Sequence, residues 1–343
     1  MSPLDAAGSA SQSSWFGIGV AMFWLACAIS CRSIIPLLQR AGMQDVANER
    51  SSHTGAVPRG GGLGFVPILL AACLLVLWMR PDPFWLVAIA VAVGFALVSL
   101  ADDRLDLSAA VRFPVYLVLS FALLWMVPAE TLPEVPFLPS WLTRVLLALA
   151  FCWWVNLFNF MDGINGLTVT QTISMALPLA ALLSTALPDG PGWRIAVLLA
   201  TAASAFATVN WHPARVFMGD VGSITLGALT GALLLHAGAA GFAVAAVLVS
   251  LYYWGDATST LVWRGSRGQK IWKAHSLHAY QYLVRRPLSH DFACLCVLAL
   301  NVWLAALALG VVGTGSWVSL TLGIASTGAV LFVFRMLGKR PNS

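Results

Sequence analysis

Three carboxylates are crowded into the segment Asp102-Asp103-Arg104-Leu105-Asp106, which closes an apolar run. At the carboxyl end of a helix these acids repel one another and the negative end of the helix dipole, so a cation should compensate them. Mg²⁺ suits this place because it prefers carboxylate oxygens and bridges to substrate phosphates. Asp102 and Asp103 would then divide metal binding and proton transfer between them. The alternative is a solvated helix end with Arg104 as the partner.

A second segment carries polar carbonyl groups at every third position, from Asn156 through Asn159 and Asp162 to Asn165. The first two or three share one side of a helix before glycines bend the chain. A polar turn would explain the stretch from Asp162 onward. It does not explain Asn156 and Asn159, which still lie inside an apolar run. This segment is therefore the most specific signal in the sequence.

A third segment, between two apolar runs, contains Arg215, Phe217 and Asp220. A cation for phosphate, an aromatic ring and an acid at a helix start are the parts of a strip that binds a nucleoside diphosphate. Two structural alternatives stay open from the residues alone. Asp220 would serve as the N-cap of the following helix, and Phe217 would pack at a membrane interface.

The long basic loop 263–290 contains His275 and His278. Two imidazoles three residues apart can hydrogen-bond one phosphate from the same face. A zinc site is the alternative for the pair, although no third close ligand accompanies it in the sequence. The positive charge of the loop is also typical of membrane orientation or of attraction to anionic lipid headgroups.

Two further charged residues stand out by their surroundings. Arg59 precedes the glycines at 60–62, and together they could offer a guanidinium and backbone N–H groups to an anion, without the spacing of a P-loop. Asp256 is the one acid well inside an apolar run. It is either functional or paired with Arg264, which lies eight residues on and near the same helical face.

The elements that must position these residues are membrane-spanning helices. Of 343 residues, 59% are hydrophobic and only 10% are charged, with a mean hydropathy of +0.83, whereas soluble domains carry about 25% charged residues. Eleven apolar runs are long enough to cross a bilayer, approximately 15–38, 61–79, 83–101, 113–127, 141–158, 167–187, 193–210, 221–237, 241–261, 291–312 and 316–335. The sequence predicts an all-α integral membrane protein, a polytopic bundle of about 11 transmembrane helices without a large water-soluble domain.

Lys and Arg set the orientation of such a bundle, because they collect in cytoplasmic loops. An N-terminus outside and a C-terminus in the cytoplasm places most of the 19 Lys and Arg residues, and all four polar segments, on the inner face. We predict a short periplasmic N-terminus at 1–14, one transmembrane domain at 15–335 and a cytoplasmic tail at 336–343. Its active-site loops are 39–60, 102–112, 159–166, 211–220 and 262–290.

Four motifs occur in order within residues 45–290: Asp102-Asp103, Asn159-Phe-Met-Asp162-Gly163, Phe217-Met-Gly-Asp220 and His275-Ser-Leu-His278. In this order the chain resembles the polyprenyl-phosphate N-acetylhexosamine-1-phosphate transferase superfamily (glycosyltransferase family 4). It is most similar to the undecaprenyl-phosphate sugar-1-phosphate transferases of the O-antigen-initiating branch. It departs from the phospho-MurNAc-pentapeptide translocase, because Asn165 replaces a second Asp and the spaced His pair replaces a His triplet. These departures count against an essential carboxylate at 165 and against MurNAc-pentapeptide as the sugar.

The resemblance implies a reaction on the cytoplasmic face of a bacterial inner membrane. The phosphate of undecaprenyl phosphate attacks the β-phosphorus of a UDP-N-acetylhexosamine, releases UMP and leaves the sugar on a lipid diphosphate. Mg²⁺, or Mn²⁺ in its place, would be bound by Asp220, Asn159 and Asp103. Such phosphoryl transfer needs mostly positioning and charge stabilisation.

The resemblance also implies individual roles for the remaining side chains. Asp102 acts as the base or positions the lipid phosphate, and Asp162 shapes the metal site or binds nucleotide. Phe217 stacks on uracil, while Arg215 and the two histidines hold the diphosphate and sugar. The predicted catalytic residues are Asp102, Asp103 and Asp162, and the predicted substrate-binding residues are Asn156, Phe217, Arg215, His275, His278, Arg59 and Arg112.

Two other classes of protein are weighed against an enzyme. An ion-coupled transporter places its sites near the midplane, often in paired halves, whereas the polar residues here crowd at one surface. A structural membrane protein gives no reason for four acidic or His motifs on one face. The expected partners are the two substrates and membrane lipid, and the +5 net charge does not indicate nucleic acid. The G-x-x-x-G of Gly227 and Gly231 leaves a homodimer open, and the sugar stays open among GlcNAc, FucNAc, QuiNAc and others.

Overall fold

The computed structural model of the protein describes residues 3–46, 55–105, 107–133, 137–270, 276–284, 289–310 and 317–338, with side chains from residue 16 onward. Asp106 and His275, two residues singled out from the sequence, lie outside this part of the chain. The described chain is almost entirely helical. An all-α polytopic membrane protein is therefore confirmed.

Twelve α-helices and one small sheet follow one another along the described chain. In order they are α1 (Pro3–Arg40), β1 (Gln44–Val46), β2 (Ala56–Pro58), α2 (Gly62–Met79), α3 (Pro83–Leu105), α4 (Ala109–Met126), α5 (Ser140–Phe160), α6 (Leu167–Ala186), α7 (Gly192–Asn210), α8 (Gly219–Ala237), α9 (Ala243–Ser266), α10 (Ala279–Val284), α11 (His290–Gly310) and α12 (Trp317–Gly338). A single 3₁₀ turn, Ala129–Thr131, precedes α5.

The helices long enough to span a membrane match the predicted apolar runs. Within the described residues, nine helical stretches are long and apolar enough to cross a bilayer. One of these stretches, residues 219–266, contains both α8 and α9, and α4 adds a shorter apolar helix, which gives eleven. The main difference lies at the start, because α1 begins at Pro3, well before the apolar run that starts at Trp15. Proline is favoured in the first turn of a helix, which is consistent with this early start.

The chain reverses between α8 and α9 at Gly241, whose φ of +91° breaks the helical path. One residue of α5 shows the reversal directly. The indole N–H of Trp154 lies 3.1 Å from the hydroxyl of Thr230 on α8, and its ring centroid lies 6.3 Å from that of Tyr253 on α9. Because both helices reach the same tryptophan, they lie side by side. The helices thus return the chain to the same end of the bundle at 210–219 and again after 266.

Helix α8 is the centre of the bundle. Every one of its residues except Leu234 is buried. Its glycines and alanines let neighbouring helices approach closely, as is common between membrane helices. By contrast, α1 and α12 expose most of their side chains and form the periphery. The first turn of α8 therefore begins in the middle of the protein, at the end called the polar end below, where Arg40, Asp102, Asn159 and Asp220 lie.

The sequence did not predict the short antiparallel pairing of β1 with β2, in which Gln44 lies opposite Pro58 and Val46 opposite Ala56. The pairing continues one residue further, where Arg59 forms a parallel bridge with Phe217. This small sheet holds the first loop of the polar end against the start of α8.

Candidate active site

The three acids of the first and third motifs meet in one cavity at the polar end. Asp102 and Asp103 come from the last turn of α3, and Asp220 comes from the first turn of α8. Together with Asn159 from the end of α5 they line a cavity of 890 Å³. This volume suits a small-molecule ligand. Residues separated by more than a hundred positions in the chain thus form a single polar site.

Two arginines join the three acids into one charged cluster. The Nη2 atom of Arg59 lies 2.6 Å from Asp220 Oδ1 and 3.6 Å from Asp103 Oδ1. The Nη1 atom of Arg112 contacts Asp102 Oδ2 and lies 3.2 Å from Asp220 Oδ2. Each oxygen of Asp220 therefore has its own guanidinium partner. Of the two alternatives for the acids, the partner role of Arg104 is not seen, because Arg112 and Arg59 take it.

Close backbone packing fixes Arg59 against Asp220. A Cβ atom on Gly62 at the start of α2 would lie 2.3 Å from the backbone nitrogen of Gly222 on α8, so the two helix starts touch through their backbones. The N–H groups of residues 60 and 61 donate to the carbonyl of Phe217, and that of Gly62 donates to Met218. The glycine N–H groups expected to bind an anion are therefore used within the protein. Only the Arg59 side chain of that segment reaches the cavity.

The N-cap alternative for Asp220 is wrong. Helix α8 begins at Gly219, its N-cap is Met218, and no side chain caps it by a hydrogen bond. Asp220 stands one position inside the helix and directs its carboxylate at the two arginines. The positive end of the helix dipole still favours a carboxylate at this position.

The two asparagines of the second motif differ in their surroundings. Asn159 lines the cavity, and its Oδ1 atom accepts a hydrogen bond of 3.0 Å from Ser223 on α8. Asn156, one turn deeper, donates to the carbonyl of Cys152 in its own helix at 2.8 Å and does not line the cavity. The helical periodicity correctly placed both on one side of α5, but only the residue at the helix end reaches the site.

Asp162 lies beside the cavity and does not line it, because a neighbouring helix holds its carboxylate. Its Oδ1 atom accepts a hydrogen bond of 2.6 Å from Thr168 in the first turn of α6. The hydroxyl of Thr168 lies in turn 3.5 Å from that of Tyr253 on α9. Burial, helped by the negative charge of Asp220 and opposed by the Thr168 hydrogen bond, raises the pKa of Asp162 to about 7. This carboxyl can therefore hold or release a proton near neutral pH.

Two residues of the third motif lie apart from the acids. Phe217 is half-buried, its backbone is bound to residues 58, 60 and 61, and its side chain does not line the cavity. Arg215 is exposed and lines a separate cavity of 530 Å³ together with the residues of β2. Arg215, Phe217 and Asp220, which the sequence predicted to form one binding strip, therefore do not line the same cavity. The bridge between Arg59 and Phe217 separates Arg215 from Asp220.

His278 is buried and supports α10 instead of lining the cavity. Its Nδ1 atom lies 3.8 Å from Asp256 Oδ1, and its ring stacks on Tyr280 at an angle of 4°. Both oxygens of Asp256 accept the N–H of Ala279, at 2.8 and 3.0 Å. The pairing of Asp256 with Arg264, one of the two alternatives for this acid, is not seen among the described residues. Arg264 donates to Gln269 and Lys270, while Asp256 lies 3.8 Å from Arg335 of α12.

Sequence reasoning missed the side chains that hold the second motif in place. Thr168 and Tyr253 support Asp162, and the fully buried Tyr280 reaches the carbonyl of Phe160 at 3.4 Å. Gln44 lines the cavity. A threonine in the first turn after the 162–166 loop was a local signal for contact with that loop. Tyr253 gave no such signal, because a tyrosine in a hydrophobic run looks like ordinary core, and Tyr280 gave none because it lies in the long basic loop.

The cavity carries oxygen ligands of the kind that Mg²⁺ prefers. One of them is buried and unsatisfied, because Asp103 Oδ2 has no hydrogen-bond partner among the described residues. In the part of the chain that the structure describes, no group of three or more Asp, Glu, His or Cys side chains has the arrangement of a ready metal site. Asp220, Asp103 and the amide oxygen of Asn159 fit a hard cation in chemistry, while Arg59 and Arg112 hold the carboxylates.

The comparisons with known proteins indicate the family to which the chain belongs. The model of the family described as glycosyl transferase family 4 matches residues 85–238, which include Asp102, Asn159 and Asp220. A probable undecaprenyl-phosphate N-acetylglucosaminyl 1-phosphate transferase of Bacillus subtilis (strain 168) is 24% identical in an alignment of 320 residues that covers 88% of this chain and 88% of its own.

Two other relatives extend this match. A decaprenyl-phosphate N-acetylglucosaminephosphotransferase of Mycolicibacterium smegmatis is 28% identical over 80% of this chain and 76% of its own. A phospho-N-acetylmuramoyl-pentapeptide-transferase of Synechococcus sp. (strain JA-3-3Ab) is 34% identical over 64% of this chain and 68% of its own. The chain is thus similar to proteins of more than one branch of the superfamily. It belongs to glycosyl transferase family 4, the superfamily of polyprenyl-phosphate N-acetylhexosamine-1-phosphate transferases.

Proposed function

We propose that this protein transfers N-acetylhexosamine 1-phosphate from a UDP-sugar to undecaprenyl phosphate. An oxygen of the lipid phosphate forms a bond to the β-phosphorus of the UDP-sugar, and the bond from that phosphorus to the bridging oxygen breaks. UMP leaves with the bonding electrons, and the sugar stays on a lipid diphosphate. The observation that carries the proposal is the cluster of three acids and two arginines in one cavity at the end of a membrane bundle.

The arginines account for recognition of the phosphates. Guanidinium groups bind phosphate oxygens through two parallel hydrogen bonds. Arg59 and Arg112 are already directed into the cavity by their acidic partners, with 46% and 29% of their side chains exposed. A diphosphate entering the cavity therefore meets donors whose positions are set in advance. Donors fixed in this way need little reorganisation as charge develops on the transferred phosphoryl group.

The acids account for the metal and for the incoming lipid phosphate. We propose that Asp220, Asn159 and Asp103 hold Mg²⁺, or Mn²⁺ in its place, which supplies charge neutralisation of the diphosphate when bound. Asp102 shares the Nη1 atom of Arg112 with Asp220. In that place it takes a proton from the lipid phosphate or orients it through Arg112. Asp162 stabilises the loop that follows Asn159, because its carboxylate accepts the hydrogen bond from Thr168 of α6.

The membrane setting follows from the same residues. We propose that the polar end faces the cytoplasm, because UDP-sugars are made there and because Lys and Arg collect at this end. In a bacterium this places the enzyme in the inner membrane. The product is then an initiating lipid-linked sugar for O-antigen or another surface polysaccharide. The names of the relatives support N-acetylglucosamine or a related sugar, and Asn165 with the spaced histidines favours such a sugar over MurNAc-pentapeptide.

Release of UMP tests the proposal. Purified protein in detergent is mixed with undecaprenyl phosphate, Mg²⁺ and, in turn, UDP-GlcNAc, UDP-FucNAc and UDP-QuiNAc. We expect UMP and a lipid diphosphate of matching mass with one of them, and loss of both products when EDTA removes the cation. UMP release with no sugar of the panel, by protein that melts cooperatively, would overturn the proposal.

Two variants test the site. Asp220→Asn is expected to lower turnover by about 10²-fold or more, because each of its oxygens orders one arginine. Asp189→Asn is the matched control, since this acid is 88% exposed and its one ion pair within the described residues is with Arg80, at the opposite end of the bundle. Equal turnover by the two variants would show that the cluster of three acids and two arginines is not the reaction site. Ion-driven uptake of a solute into vesicles, without UMP release, would instead support the transporter alternative.

A further inference from the structure

A second polar cavity lies beside the first, and it contains two arginines. Arg32 of α1 and Arg215 of the segment before α8 line this space of 530 Å³, with Gln39 as a further polar side chain. The remaining lining residues are small or apolar, from 35–36, 56–58 and 214. The cavity therefore combines two cations with an apolar wall.

The charges in this cavity lack the compensation seen in the first one. Arg59 and Arg112 both contact carboxylates. Neither Arg32 nor Arg215 lies within 4.0 Å of a carboxylate anywhere in the described chain, and both are exposed. Two guanidiniums in one cavity repel each other unless an anion lies between them. A phosphate is the anion that guanidinium pairs bind best.

The position of the cavity indicates that this phosphate belongs to a lipid. Arg32 lies inside the apolar part of α1, and the next lining residues on that helix, Ile35 and Pro36, belong to the same apolar run. Helix α1 is peripheral and exposes most of its surface. A long basic side chain near the end of such a helix reaches toward the headgroup layer. Anionic headgroups at that layer attract Arg from the protein.

The two cavities are neighbours but separate. Pro58 lines the second cavity, whereas Arg59, the next residue, lines the first. The backbone bridge between Arg59 and Phe217 lies between the two cavities. A phosphate held by Arg215 is therefore not in contact with the acids of the reaction cavity.

We propose that Arg32 and Arg215 form a binding site for the headgroup phosphate of a membrane lipid. The shared chemistry is a phosphate on a lipid chain, and two sources supply it: a polyprenyl monophosphate or an anionic phospholipid such as phosphatidylglycerol. Lipid binding to this site needs neither a nucleotide nor a metal, so it can be measured without the transfer reaction.

Direct titration of lipids tests the site without any turnover. Full-length protein in neutral detergent is titrated with a short-chain polyprenyl monophosphate and, separately, with phosphatidylglycerol, and bound lipid is counted by native mass spectrometry. The test variant is Arg32→Gln/Arg215→Gln. The matched control is Arg40→Gln/Arg267→Gln, which removes two exposed arginines that line neither cavity. All variants are checked for cooperative thermal unfolding.

We expect the test pair to weaken binding of at least one of the two lipids about tenfold or more, since two charge-assisted contacts are lost, and the control pair to leave it unchanged. Loss confined to the monophosphate identifies the site as one for the lipid substrate. Loss confined to phosphatidylglycerol identifies it as a site for bulk lipid. Wild-type binding of both lipids by the test pair, or an equal loss in the control pair, would overturn the proposal.

A charge-retaining variant guards against a defect in folding. Arg32→Lys/Arg215→Lys keeps both positive charges but loses the paired hydrogen bonds of guanidinium. It is expected to bind lipid phosphate more tightly than the glutamine pair does. Equal binding by the lysine and glutamine pairs would also overturn the proposal.

Discussion

The contact between Gly163 and Tyr280 gives the sharpest prediction about how the site is positioned. Gly163 lies in the loop directly after Asp162, and Tyr280 comes from α10, more than a hundred residues later. A Cβ atom on Gly163 would lie 2.3 Å from the tyrosine hydroxyl oxygen. Tyr280 has no exposed surface, so its ring has no solvent into which it could move. The variant Gly163→Ala should therefore displace the loop that carries Asp162.

The size of the effect follows from these distances. A carbon and an oxygen at 2.3 Å must separate by about 1 Å to reach ordinary contact. Overpacking of this kind costs about 1–3 kcal/mol in a buried site. A shift of about 1 Å in a positioning loop can lower turnover by about 10²-fold. Removing the hydroxyl leaves the ring carbon Cζ as the nearest tyrosine atom, at 3.3 Å, which a small adjustment accommodates.

The assay compares single and double variants. Gly163→Ala is expected to lower both the melting temperature and UMP release, and Gly163→Ala/Tyr280→Phe to recover most of both. Tyr280→Phe alone loses the hydrogen bonds of the tyrosine hydroxyl to the Phe160 carbonyl, at 3.4 Å, and to the Gly163 backbone, and should lower the melting temperature less than Gly163→Ala does. Gly328→Ala is the matched control, because its Cβ would meet no atom within 4 Å.

Two outcomes would refute this reasoning. If the double variant is as impaired as Gly163→Ala, the alanine acts on the backbone and not through the tyrosine hydroxyl. If Gly163→Ala has the same melting temperature and UMP release as Gly328→Ala, the loop accommodates the added methyl group without moving Tyr280 or Asp162. Either result would remove Tyr280 from the residues that position the active site.

Two other substitutions test groups around the same loop. Asp256→Ala should destabilise the protein by about 3–5 kcal/mol, because a fully buried acid that binds Ala279 is lost. Arg335→Gln, at a side chain 33% exposed, should cost about 1 kcal/mol or less by thermal unfolding. A loss of stability in Asp256→Ala as small as that in Arg335→Gln would mean that Asp256 is unimportant to α10. Since burial first, and Asp220 second, raise the pKa of Asp162 to about 7 from 3.8, the folded state holds this proton more tightly than the unfolded state. The contribution of Asp162 to stability is thus full below pH 4 and is lost as the pH rises through 7. Asp162→Asn should therefore make the melting temperature depend less on pH between pH 5 and 8. The same dependence of melting temperature on pH in the variant and the wild type would contradict the raised pKa.

The sequence was sufficient for the bundle itself. Each apolar run between Pro, Gly or charged residues became a helix, because a chain in a bilayer satisfies its backbone only in helices or closed barrels. It was also sufficient to place Asn156 and Asn159 on one face of α5, since helical periodicity fixes which residues share a face. The end of α3 likewise carries its acids into the site as expected.

Contacts between distant segments could not be read from the sequence. The pairing of Arg59 with Asp220 spans 161 residues, and it depends on backbone contact between Gly62 and Gly222. Spacing along the chain says which residues share a helix face, but not which two faces meet. For the same reason Arg215 was expected beside Asp220, five residues away in sequence, although the Arg59 bridge to Phe217 separates them.

The two cavities differ in charge, and this difference suggests how they would share the work. Three acids and three arginines line the reaction cavity, so its formal charge is zero. A diphosphate carries two negative charges and Mg²⁺ carries two positive ones, so their complex enters without changing that balance. A lipid phosphate has no such counterion, and the neutral cavity attracts it weakly. The second cavity carries Arg32 and Arg215 without acids. On our proposal, a phosphate arriving from the bilayer therefore first meets the positive charge of the second cavity, whose lining residue Pro58 directly precedes Arg59 of the reaction cavity.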